Sequence, residues 1–184
     1  MGKESGNIRR TADGSLELIS LLTQLKETRR SFWIDSGVPK PGESISDHVY
    51  RVAMAALVLS RIDTSLDRTT LIEMALIHDC DKVMDNDQTE NGCHEAELNA
   101  IRYCDSLLEQ SGAKPLFTDL WSCFYGDYTS AEASAVRQLD KLEIILQAAE
   151  YERRYWGTSK EVNLHDFFVH KRCVYPSCDQ TMGR

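Results

Sequence analysis

Through most of this chain apolar residues recur every three or four positions, the spacing of helices that turn one face inward. The first such run follows Ser15 and places Leu18, Leu21, Leu22 and Leu25 on one side. Gly37, Pro39, Pro41 and Gly42 then punctuate the stretch Ser36 to Ser46 and predict a loop. Ser46 is expected to cap the next helix, with Asp47 in its first turn. That second helix runs from His48 to Ile62 on Val49, Val52, Ala53, Ala56 and Leu57, and a third covers Asp67 to Val83 with Leu71, Met74, Ala75 and His78 inward. After a polar loop, Asp85 to Gly92, a fourth spans Glu95 to Gln110 on Ala96, Ala100, Ile101, Cys104 and Leu108. Pro115 suits the start of a short fifth helix carrying Leu116, Leu120 and Trp121. The last helix runs from Ser130 to Trp156 with no Gly or Pro inside it and Ala133, Val136, Ile144 and Ala148 in repeating positions. No segment reads as a strand. The prediction is an all-α bundle of six to seven helices.

At 184 residues the chain holds one full-sized core and not two. Residues 1–14 read as a polar tail, 15–172 as the domain, and 173–184 as a second tail without an apolar face. Hydrophobic residues make up 42% and charged residues 27%, the balance of a folded globular protein. No apolar run reaches the roughly 20 residues of a membrane helix, and Met1 to Arg10 lack the apolar stretch of a secretory signal, so a cytoplasmic setting is expected. The six cysteines form no C-x-x-C pair, which predicts neither a zinc knuckle nor a redox motif; they read as small core residues. A net charge of −8 argues against duplex nucleic acid as a partner. It leaves open a small anion, whose local potential a metal and a few cations can set.

Four residues stand out from their surroundings. His78 follows Met74 by one turn on a buried stripe, Asp79 comes directly after it, His48 opens the second helix, and Asp140 lies between Val136 and Ile144 on the inward face of the last. A lone inward histidine is most often a hydrogen-bonded core residue, and a lone inward carboxylate most often a cap or ion-pair partner. An unpaired one would cost several kcal/mol. Together, two imidazoles and two carboxylates form a mixed nitrogen and oxygen set that suits one divalent ion such as Mn, Fe, Co, Ni or Zn better than Ca.

The order H, H-D, D across successive helices resembles the HD superfamily of metal-dependent phosphohydrolases, and within it the group that hydrolyses (deoxy)nucleoside 5′-monophosphates. The segments that carry the resemblance are Glu43-Ser44-Ile45-Ser46-Asp47-His48, Ala75-Leu76-Ile77-His78-Asp79, and Ser130 through Asp140 to Glu150-Tyr151-Glu152. It implies a single HD domain holding one divalent ion (Mn, Co, Fe, Ni, Zn or Mg) through His48, His78, Asp79 and Asp140. It further implies that Arg30, in Leu25-Lys26-Glu27-Thr28-Arg29-Arg30, grips the substrate phosphate. Asp87 falls at an acidic loop position that contacts the nucleotide, and Trp33 at an aromatic position that could wall the base or sugar pocket. His94, with Glu97 three residues on, falls where similar residues border the pocket.

Two acidic positions depart from the family pattern. Where the nucleotidases carry a Glu four residues after the H-D histidine, this chain has Lys82, with Asp81 as a neighbouring carboxylate that could stand in. Where relatives have a second Glu before the last helix, this chain places Phe124 or Tyr125. Ser31 replaces the bulkier residue of some deoxynucleotide-selective relatives, which weakens any expectation of deoxyribose preference. The resemblance therefore implies a hydrolase working by metal-activated water, with Asp81 and Lys82 as candidate catalytic groups and Lys82 also a phosphate clamp. The alternative is a catalytically silent nucleotide-binding or scaffolding protein on the same fold. Apolar surface around Trp121 and around Tyr151 to Trp156 suggests a homodimer.

Overall fold

The computed structural model of the protein describes residues 14–84, 94–126 and 130–169. Asp87, most of the 1–14 tail and the whole of the 173–184 tail lie outside those residues. Within them the chain is all-α, as its periodicity predicts. Residues 14–21 form α1, which a turn at Leu22 separates from α2, Thr23–Glu27. Next come α3, Ser31–Asp35, and α4, Ile45–Ile62. Then follow α5, Arg68–Ile77, a 3-10 turn over Cys80–Val83, and α6, His94–Gln110. The chain continues through α7, Phe117–Tyr125, and α8, Ala131–Tyr155, to the short α9, His165–Val169. The single-turn elements α3 and α9 raise the helix count above the expected six to seven.

The helix ends show what the pattern of apolar residues could not. The cap of α4 is Ser44 rather than Ser46: the Ser44 hydroxyl accepts the Asp47 N–H while the Asp47 carboxylate accepts the Ser44 N–H. This reciprocal capping box starts the helix at Ile45 and sets His48 one turn in. Asp67 caps α5 by accepting the Thr70 N–H, and Ser130 caps α8 by accepting that of Ala133. Gly157, at a φ of 66°, stops α8 with a left-handed residue that a side chain would strain. The expected third helix ends early, at Ile77, because the backbone tightens into the 3-10 turn directly after the H-D pair.

Three groups of buried side chains hold the bundle together. One joins Leu18 and Leu25 to Ile45, Val49, Ile101, Leu107 and Trp121. A second packs Val52 and Ala56 of α4 on Leu71 and Met74 of α5 and on Ala133 and Val136 of α8. The third sets Trp33 and Val38 against Ile144, Ala148 and Tyr151, and Leu164 after the last turn closes it. Trp121 and Tyr151 are thus core residues at 1% and 3% exposure rather than free apolar surface. Leu57, expected inward, is exposed, as are Tyr50, Met54, Val58 and Ile62 along the outer side of α4 and Leu142, Ile145 and Leu146 on α8. No helix of the described residues is long and apolar enough to cross a membrane.

Asp105 ties α6 to α7. Its carboxylate accepts the N–H groups of Leu116, Phe117 and Thr118 at 2.7–2.8 Å, which satisfies the orphan donors at the start of α7. Burial raises its affinity for a proton, but these hydrogen bonds outweigh it, and the carboxyl sits below its ordinary range. Asp105→Ala is expected to cost about 1–3 kcal/mol in urea denaturation at neutral pH. Because a lowered carboxyl stabilises the fold above its unfolded pKa and loses that contribution as pH falls, the difference from the native protein shrinks below about pH 4.

Candidate metal centre

The polar groups of the centre lie on the helices that build the core. His48 sits on α4 between Val49 and the preceding cap, Asp140 on α8 midway between Val136 and Ile144, and His78 and Asp79 at the break between α5 and the 3-10 turn. The backbone therefore delivers two of the four from long helices and two from the break that ends α5. His48 and His78 are fully buried and Asp140 is 1% exposed. Nε2 of His48 stands 3.0 Å from Asp140 Oδ1 and 3.3 Å from Nε2 of His78. Asp79 Oδ2 lies 3.9 and 3.7 Å from these two nitrogens. The donor atoms of His48, His78 and Asp140 fall within 4.8 Å of one another, a cluster that could hold a metal ion.

The other ring nitrogens are already committed. His78 Nδ1 faces the carbonyl of Ala75 at 2.8 Å, and His48 Nδ1 faces Glu143 Oε2 at 2.5 Å. With Nδ1–H donating in each case, both Nε2 atoms face the shared centre, where a bound cation would take the place of the proton that His48 Nε2 shares with Asp140. Burial disfavours charge on His48, yet hydrogen bonds to Asp140 and Glu143 override it and raise the imidazole to about 9. Burial likewise opposes ionisation of Asp79, but His78, His48, Arg30 and Lys82 together hold it down near 2. Asp140 is lowered against its burial chiefly by the His48 hydrogen bond. Ionised oxygens buried beside imidazole nitrogens are a donor set suited to a divalent cation.

A second layer of charge lies behind the imidazoles. Glu143 Oε1 accepts from Arg51 Nε at 2.9 Å, and the Arg51 guanidinium also reaches Glu150 at 2.9 Å. Arg30 lies 3.3 Å from Glu43 and 3.8 Å from Glu143, with its guanidinium 4.7 Å over the Phe32 ring. Trp33 is fully buried, and its indole N–H donates to Glu43 at 2.9 Å, so the ring meets the site through that carboxylate. Burial and the nearby Glu143 raise the Glu43 carboxyl despite these donors.

The 3-10 turn sends Asp81 elsewhere. Its carboxylate, 1% exposed, pairs with Lys82 Nζ through one oxygen and accepts the Trp121 indole N–H at 3.3 Å through the other. Lys82 is exposed and also reaches Glu97 at 3.4 Å. The ring of Phe124, buried in α7, lies 5.2 Å from that of His78 and gives the centre an apolar wall. Asp87 and the His94 side chain lie outside the described residues.

Glu143, Glu43 and Arg51 went unnoticed among the sequence candidates. A signal exists for Glu143: Asp140, Glu143 and Gln147 are polar at a spacing of three and four within the buried stripe of α8.

A family model described as HD domain matches residues 22–177, and the chain belongs to the HD-domain family. Among curated proteins it is 34% identical to "5'-deoxynucleotidase HDDC2" of Dictyostelium discoideum over 83% of this chain and 85% of the relative. It is 37% identical to the Bos taurus protein of the same name over 86% of this chain and 77% of that one. Among solved structures, a conserved hypothetical protein from Pyrococcus furiosus superposes with a TM-score of 0.65 at 31% identity, covering 83% of this chain and 85% of that one.

The Asp81 carboxyl is shifted in the direction opposite to that of Asp105. Burial raises the Asp81 carboxyl, and the Lys82 charge opposes the rise. Lys82→Met should push it higher and cost about 1–3 kcal/mol at neutral pH. A raised carboxyl binds its proton more tightly when folded, so this deficit should grow as pH climbs from about 4 through the elevated value and vanish in acid. Denaturation curves collected between pH 4 and 8 measure it.

Proposed function

We propose that the protein is a metal-dependent phosphohydrolase of nucleoside 5′-monophosphates, with deoxynucleotides the first class to test. The observation that carries the reading is the convergence of His48 Nε2, His78 Nε2 and Asp140 Oδ1, with Asp79 beside them, in a chain whose relatives are named 5′-deoxynucleotidases. These four residues are the ligands of one divalent ion. An ion bound there supplies the Lewis acidity that activates water and offsets phosphate charge.

The chain's own groups do the rest. Arg30, held by Glu43 and set over Phe32, presents a guanidinium that is already oriented, suited to gripping phosphate oxygens in pairs. Lys82 is the second cation; its contacts with Asp81 and Glu97 hold the ammonium at the end of the 3-10 turn, where Coulombic attraction already links it to Asp79. Asp81, redirected to Trp121 by the 3-10 turn, serves the reaction by holding Lys82 in place, and Asp87 is the contact to the nucleoside. Phe124 excludes water from the His78 side. A homodimer is part of the proposal, supported by the exposed apolar residues of α4 and α8.

The protein should contain close to one transition-metal ion per chain by elemental analysis, and Asp79→Ala should lose it. With Mn, Co or Mg it should release phosphate from nucleoside monophosphates, and Lys82→Ala should raise KM roughly tenfold, the loss of one charge-assisted contact. A native protein that is inert, beside a Lys82→Glu variant that gains monophosphatase activity, would make the chain a silent binder instead. Sedimentation at micromolar concentration tests the dimer.

A further inference from the structure

On α4, Arg51 follows His48 by three residues. On α8, Glu143 follows Asp140 by three and Glu150 follows Glu143 by seven, so the two helices face each other with a continuous polar seam. The seam has a definite order. His48 Nε2 takes the first carboxylate, Asp140, and Nδ1 the second, Glu143. The free oxygen of Glu143 is then gripped from two directions by one guanidinium, with Arg51 Nε at 2.9 Å and Nη2 at 2.7 Å. Arg51 Nη2 also lies 3.5 Å from the Glu143 carbonyl, and Nη1 is anchored on Glu150 at 2.9 Å.

A carboxylate alone could rotate about its terminal bonds and present either oxygen, or none, to an imidazole. A guanidinium fixed at four acceptor contacts removes that freedom, because its donors are coplanar and rigid. We propose that Arg51 is a positioning residue for the metal centre: by locking Glu143 it fixes the tautomer and ring orientation of His48, and so keeps Nε2 aimed at the ion. This inference rests on His48 being a ligand, as the proposed function has it. The Arg51 side chain is one-third exposed, so its worth lies in aim and not in burial.

Cobalt titration of the chelator-treated full-length protein tests this. Arg51→Met should weaken Co binding, measured by competition with a chelator, about tenfold or more, the range typical of groups that orient a metal-binding histidine. It should also shift the visible absorption of the Co-loaded protein and broaden or lose the downfield Nδ1–H proton signal of His48 in the Zn-loaded protein. Arg51→Lys, which keeps the charge but not the fork, should recover only part of the affinity. Arg61→Met, exposed at the far end of the same helix, should change none of these. If Arg51→Met binds Co as tightly as the native protein with the same spectrum, the inference is overturned. Should Arg51→Met fail to fold, Glu150→Gln removes only the outer anchor; a few-fold loss supports the proposal and an unchanged affinity overturns it. Asp79→Ala separates the two levels. Metal kept in that variant defeats the proposed site itself, whereas metal lost there but unaffected by Arg51→Met defeats the positioning role alone.

Discussion

Both nitrogens of one imidazole, His48, are claimed by carboxylates one turn apart on a single facing helix, and the remainder of the centre is arranged around that clasp. It sets the rotation of α4 against α8, because slipping either helix by one residue would carry its partner groups about 100° away from the seam. The Val52 and Ala56 contacts of α4 with Val136 and Ala133 of α8 then follow from the same register. Apolar packing supplies the gain from burial, but it would tolerate neighbouring registers that the ion pairs do not.

The polar centre sits where the structure can least easily solvate it, which explains its dense cross-bracing. Asp79, Asp140 and Glu143 bring negative charge into a region lined by Phe124 and the two imidazoles. Arg30 and Arg51 are each shared between two carboxylates, Glu43 and Glu143 for the first and Glu143 and Glu150 for the second. The α5 backbone contributes as well: by ending at Ile77 it leaves the Ala75 carbonyl available to His78. A helix continuing to Val83 would have spent that acceptor on an amide.

The helices are legible in the sequence through the spacing of their apolar residues, and a polar residue on such a stripe is visible to the same pattern, whereas His48 and Asp79 join the candidate ligands through the order H, H-D, D. His78 and Asp140 stand out on their stripes, and their burial agrees with the pattern. The helix boundaries are less legible, since Ser44 and Ser46 are equally good caps by type and only the reciprocal contact with Asp47 distinguishes them. Asp81 illustrates a deeper limit. To stand in for a carboxylate one turn after His78, Asp81 would need a continuous α-helix, and a switch to three residues per turn redirects it to Trp121. Arg51 and Glu150 are hidden differently: exposed or half-exposed charges on long helices are ordinary, and only the partner helix gives them meaning.

The placement of the clasp has a consequence for the order in which the protein matures. His48 and Glu143 are 95 residues apart, and the intervening chain forms α5, α6 and α7. Local helices can form and collapse early, but this contact closes a very long loop and must await α8. During synthesis the nascent protein therefore passes through a stage in which His48, His78 and Asp79 have all emerged while α8 has not. Such an intermediate holds three potential donors without the helix that aims them, and acquisition of a fully aimed centre waits on the docking of α8.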